Sequence, residues 1–87
     1  MNKDETWRKL KEPAPEIDDN RGRRWFLHGF LHREDGPAVI WANGSEFWYK
    51  NGDLHREDGP AVIWASGCKS WYLHDKKLSE AEFNERR

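Results

Sequence analysis

Leu31 to Ala42 reads LHREDGPAVIWA, and Leu54 to Ala65 reads the same twelve residues again, 23 positions later. The likeness continues through Asn43-Gly44 and Ser66-Gly67, then Trp48-Tyr49 and Trp71-Tyr72, and runs backward to Trp25-Phe26 ahead of His28-Gly29. Self-similarity at a fixed period marks a repeat array, in which each unit buries its apolar face on its neighbours. The array spans residues 25–77, with units near 25–47 and 48–70 and a partial third at 71–77.

Turn chemistry divides each unit into strands. Asn43-Gly44 and Asn51-Gly52 accept positive φ at both centres of a type I′ turn, and each lies between apolar or aromatic runs, which predicts tight hairpins. Glu34-Asp35-Gly36-Pro37 and its copy Glu57-Asp58-Gly59-Pro60 break the chain, with a positive φ expected at Gly36 and Gly59. The fold class is therefore mainly β, an antiparallel meander of 23-residue hairpin repeats with strands near 24–27, 30–33, 37–42, 45–50, 53–56, 60–65 and 68–73. A two-residue turn at Asn43-Gly44 sets Ile40 opposite Phe47 and Val39 opposite Trp48. One at Asn51-Gly52 sets Tyr49 opposite Leu54 and Trp48 opposite His55, while His32 faces Trp25. One face then gathers Val39, Trp41, Trp48, His55, Val62, Trp64 and Trp71. The other gathers Phe26, Leu31, Ala38, Ile40, Phe47, Tyr49, Leu54, Ala61, Ile63 and Tyr72.

The ends read differently. Ser79 and Glu82 fit a capping box, with Leu78 and Phe83 placed as its hydrophobic staple, which predicts a capping helix within 78–87. Residues 1–24 form a charged arm with seven Lys/Arg and six Asp/Glu. It holds a candidate helix over 4–11, then Pro13 and Pro15, then a solvated linker over 18–24.

Only 36% of the 87 residues are apolar and 36% are charged, with a mean hydropathy of −1.14, so the twelve aromatic residues, six of them Trp, must supply the core. Net charge is −1, which makes nucleic acid a poor partner despite the local cluster Arg21, Arg23 and Arg24. No export signal or apolar span is found, and the single Cys68 forms no internal disulfide, so a cytoplasmic location is expected.

The 23-residue hairpin unit with Asn-Gly turns and recurring Trp and Tyr resembles the MORN-type repeat. The LHREDGPA strings at 31–38 and 54–61 are similar to a repeat of small phage-encoded and prophage-encoded proteins. The resemblance covers residues 25–77 and implies a recognition or assembly surface, with inhibition of a host protein as the expected role.

Each motif has a structural reading beside a chemical one. His32, Arg33, Glu34 and Asp35, with His55, Arg56, Glu57 and Asp58, suggest a metal or acid/base site, but they sit one repeat apart rather than converging, and turn and ladder stabilisation accounts for them better. His28 and His74 occupy the turn position that Asn51 fills. Cys68 stands where the other unit has Ser45, with no adjacent base to activate a thiol. Trp41, Trp48, Trp64 and Trp71 form either a core ladder or a contact surface, since Trp and Arg dominate interface hot spots. The binding residues expected are those four Trp with His32, His55, Arg33 and Arg56.

The function expected is a non-enzymatic protein-binding module without cofactor or metal, a phage or mobile-element factor that binds and inhibits a host defence protein. Uncovered aromatic surface makes a homodimer a second expectation. The alternative is a sponge for a small nucleotide signal, with Trp rings stacked on the base and the Arg or His side chains on phosphate. A hydrolytic site around His32, Asp35, His55 and Asp58 ranks last.

Overall fold

Each unit folds as two hairpins of different turn length, and this difference sets the architecture. The computed structural model describes residues 14–85; the helix expected over 4–11 lies outside the described residues. Strands β1 (Ile17–Asp19), β2 (Gly22–Arg24), β5 (Val39–Trp41), β6 (Glu46–Phe47), β9 (Val62–Ile63), β10 (Lys69–Leu73) and β11 (Lys76–Leu78) form one antiparallel sheet in the order β1-β2-β5-β6-β9-β10-β11. Two further hairpins, β3 (Phe26–Leu27) with β4 (Phe30–Leu31) and β7 (Tyr49–Lys50) with β8 (Asp53–Leu54), form a second tier beside it, which the far half of β10 with β11 continues. The molecule is thus the mainly β meander the repeat predicts, closed by helix α1 (Glu80–Glu85).

Trp25 and Trp48 join the tiers. The Trp25 N–H donates to Ala38 O at 2.8 Å in the main sheet, while its carbonyl accepts from His32 N–H at 3.0 Å in the hairpin tier. Trp48 repeats this with Ala61 at 2.7 Å and His55 at 3.0 Å. Side-chain bulk at Ala38 and Ala61 would hold the crossing apart, and both are fully buried with Val39 and Val62 next to them.

The second-tier turns follow the expected chemistry. Asn51 (φ 52°) and Gly52 (φ 87°) form the two-residue turn, with Tyr49 opposite Leu54 as expected, and His28 (φ 52°) and His74 (φ 51°) stand at the same turn position. The turn at Asn43-Gly44 differs. Val39 pairs with Phe47 and Ile40 with Glu46, one residue out of the expected register. The cause is local: Asn43 Oδ1 accepts the Ser45 N–H at 2.9 Å, so Asn43 caps the turn and only Gly44, at φ 97°, takes the left-handed conformation. Ala42 thereby joins a three-residue loop, and a one-residue slip exchanges the faces. Phe47 lies in a cross-strand row with Arg24, Val39, Val62 and Ser70, and not with Ile40 as the two-residue turn implied.

Two other expectations are corrected. The stretch 18–24 is no linker: Asp19 Oδ1 accepts from Arg21 N–H at 2.9 Å to turn the chain, and β2 seats on β5 with Arg24 opposite Val39. Gly36 and Gly59 lie outside the positive-φ set, and their small size serves packing instead, since a Cβ at either would meet the guanidinium of Arg33 or Arg56 at 3.0–3.1 Å. The capping box forms as read: Ser79 Oγ accepts the Glu82 N–H at 3.1 Å and Glu82 Oε1 accepts the Ser79 N–H at 2.9 Å, with Leu78 and Phe83 both buried.

Candidate functional site

The repeated LHREDGPA string builds a joint between units. His32 Nδ1 accepts the Asn51 N–H of the next hairpin at 2.9 Å, and 23 residues on, His55 Nδ1 accepts the His74 N–H at 2.9 Å. An accepting Nδ1 in a neutral ring leaves the proton on Nε2, which donates to Glu34 Oε2 at 2.7 Å and, in the copy, to Glu57 Oε2 at 3.1 Å. Both histidines are buried, and His55 also lies against the His74 ring, with centroids 4.3 Å apart.

The arginines are held as firmly. Arg33 Cζ sits 3.8 Å from the Trp25 ring centre and Arg56 Cζ 3.7 Å from that of Trp48. Their Nη1 groups donate to Pro37 O at 3.2 Å and Pro60 O at 3.1 Å, and Arg56 Nε donates to Asp58 Oδ1 at 2.9 Å. A cation over a Trp face contributes about 0.5–2 kcal/mol, so each guanidinium lid adds to its unit's stability. Each guanidinium thus engages one face and at least one N–H donor inside the fold. Among the described residues, no three His, Cys, Asp or Glu side chains come together as a metal site would require.

The hydrogen bond from His32, followed by the nearby Lys50 ammonium at 3.6 Å, holds the Glu34 carboxyl below its ordinary value of 4.5. A lowered folded value means a contribution fully present above that ordinary value and lost as pH falls through the folded one. Glu34→Gln should therefore flatten the acid limb of the stability profile, by about half a kcal/mol or less because the carboxyl is largely exposed. Thermal melts between about pH 6 and about pH 3 check this. Equal acid slopes in both proteins would show that the His32–Glu34 bond adds nothing.

The four Trp expected to act together separate. Trp48 lies half-buried under Arg56, and Trp71, also half-buried, is paired across strands with Leu78. Trp41 and Trp64 are 36% and 47% exposed and share one face of the main sheet. Across that face small residues flank the rings, with Gly22 opposite Trp41, Ser45 O accepting the Trp41 N–H at 2.9 Å, and Cys68 O accepting the Trp64 N–H at 2.9 Å. Ser45 is buried and its Oγ accepts the Ala65 N–H at 2.9 Å, whereas Cys68, at the matching place in the last unit, is exposed. Arg24 Cζ lies 5.5 Å from the Trp41 ring and is tied to Asp19 by two bonds of 2.8 and 2.9 Å; Phe47 meets the Trp64 ring edge-on at 5.2 Å. The Arg21 backbone N–H, followed by the charge of Arg24, holds the Asp19 carboxyl below its ordinary value.

Sequence reading overlooked Ile17, Leu27 and Phe30, all exposed apolar residues, with Ile17 opposite Arg24 on the Trp41 face. Ile17 is the lone apolar residue in a charged stretch, and the turn chemistry of Asp19, Asn20 and Gly22 was the signal that placed it on a strand.

No family model matches the chain, nor does any curated protein or solved structure.

Proposed function

We propose that this chain is a non-enzymatic binding module that docks on a protein partner through the sheet face carrying Ile17, Trp41 and Trp64, with Arg24 and Phe47 as their supports. The observation that carries the reading is the exposure of Trp41 and Trp64 on one face of a rigid sheet, while the histidines and arginines of the repeat are engaged within it. One strand lies between the two rings, which sets their strands about 10 Å apart, a spacing that suits two anchors entering separate hollows of a partner. The likeness of the LHREDGPA repeat to phage and prophage proteins supports a host defence protein as that partner and inhibition as the outcome.

The test is a double substitution, Trp41→Ala with Trp64→Ala, assayed against the host protein that the intact chain captures. Truncating a central interface Trp costs about 2 kcal/mol or more, so the pair should weaken binding by roughly a hundredfold or more while the melting temperature moves by only a few degrees. Unchanged binding would place the contact elsewhere, and loss of a cooperative melt would make the two rings part of the core.

A further inference from the structure

The last hairpin, the loop after His55 and helix α1 enclose an open cleft of about 750 Å³, within the range of small-ligand sites. Leu73, Leu78 and Phe83 provide its apolar lining, and Glu57 and Lys76 stand at it with opposite charge. The same position one repeat earlier shows what the cleft lacks. There the Lys50 ammonium lies 3.6 Å from Glu34, the carboxylate that also accepts from His32. Glu57 accepts from His55 in the same manner, but the residue 23 positions after Lys50 is Leu73. Among the described residues, no lysine or arginine lies within ion-pairing distance of Glu57. Lys76, in turn, replaces the acidic Asp53 and pairs across the hairpin with Leu73.

We infer that this cleft is a binding site for an ω-amino carboxylate, an aliphatic stem with an ammonium at one end and a carboxylate at the other. The ammonium takes the place of the Lys50 head against Glu57, the stem lies on Leu73, Leu78 and Phe83, and the carboxylate meets Lys76. A free amino acid of this kind and a lysine at the C-terminus of a partner chain present the same chemistry. The site is separate from the Trp41 and Trp64 face, so either proposal stands or falls without the other.

Calorimetric titration of the full chain with 6-aminohexanoate tests it, alongside hexylamine and hexanoate. Binding should be strongest for 6-aminohexanoate, weaker for hexylamine and undetectable for hexanoate. Glu57→Gln should weaken it at least tenfold, and Leu73→Lys should abolish it by rebuilding the internal ion pair, with both variants melting as cooperatively as the intact chain. A short peptide ending in lysine, compared with free lysine, shows by the tighter binder which source the site prefers. Absence of binding by both amine compounds, or binding that Glu57→Gln and Leu73→Lys leave unchanged, would overturn the inference.

Discussion

Replacing Gly22 with alanine should lower the melting temperature by about 10 °C or more, the result of roughly 3 kcal/mol lost from a domain of this size. Gly22 adopts φ 143°, which L side chains rarely take, and a Cβ there would lie 2.1 Å from Ile40 O and 2.8 Å from the Trp41 Cα. Both are backbone atoms of β5, so the clash is relieved only by lifting β2 away from its neighbour. That movement breaks the Ala42 N–H bond to Arg21 O, now 2.7 Å, and uncovers Val39 along the Arg24 side. It also withdraws Arg24 from Trp41, so Gly22→Ala should weaken partner binding even though Gly22 itself presents no side chain. Hydrogen exchange at the Ala42 amide, read with the thermal melt, reports the outcome. A protected Ala42 amide and an unchanged melt would mean that a Cβ at position 22 is accommodated without lifting β2 from β5.

What the sequence made legible was whatever one residue type determines locally. The Asn51-Gly52 hairpin, its variants at His28 and His74, and the Ser79–Glu82 capping box all depend on residues within a few positions of one another, and each formed as read. The turn at Asn43-Gly44 carries the same dipeptide as Asn51-Gly52 and folds differently, because Asn43 has the Ser45 N–H to cap and the buried Ser45 is wanted by Ala65 in the next unit. The bond to Ala65 is tertiary and adds to the local cap, and together they bring Phe47 onto the face where Val39, Trp41, Val62 and Trp64 stand as expected. The β1–β2 hairpin was hidden for a related reason. Its strands are mostly charged, and their place is earned by pairing with β5 rather than by an apolar period. Likewise the roles of His32, Arg33 and their copies are fixed by partners 8 to 19 residues away, which composition cannot display.

Removing the histidine joint should cost as much as breaking the sheet. His55→Ala deletes a buried ring, leaves the His74 N–H without its acceptor, and strips Glu57 of its donor, which together predicts a loss of about 2–4 kcal/mol and a melting temperature lower by about 10 °C or more. His32→Ala should do the same at the preceding joint, where Asn51 N–H is the orphaned donor. The joints share the β7–β8 hairpin as their common member, so the double variant should uncouple that hairpin on both sides and raise exchange at the amides of Asn51 and His74 together. A conservative substitution separates hydrogen bonding from bulk. In His55→Asn the side-chain oxygen stands near the position of Nδ1 and is able to accept the His74 N–H, so it should recover about half of the loss despite its smaller volume. The contrasting site is His28, whose ring sits in a turn that Asn51 occupies one repeat later at the same φ; His28→Asn should leave the melt unchanged or raise it slightly. If His55→Asn proves no better than His55→Ala, the acceptor at Nδ1 is not what couples the units, and the stability of the array lies in ring packing against His74 and in the guanidinium lids over Trp25 and Trp48.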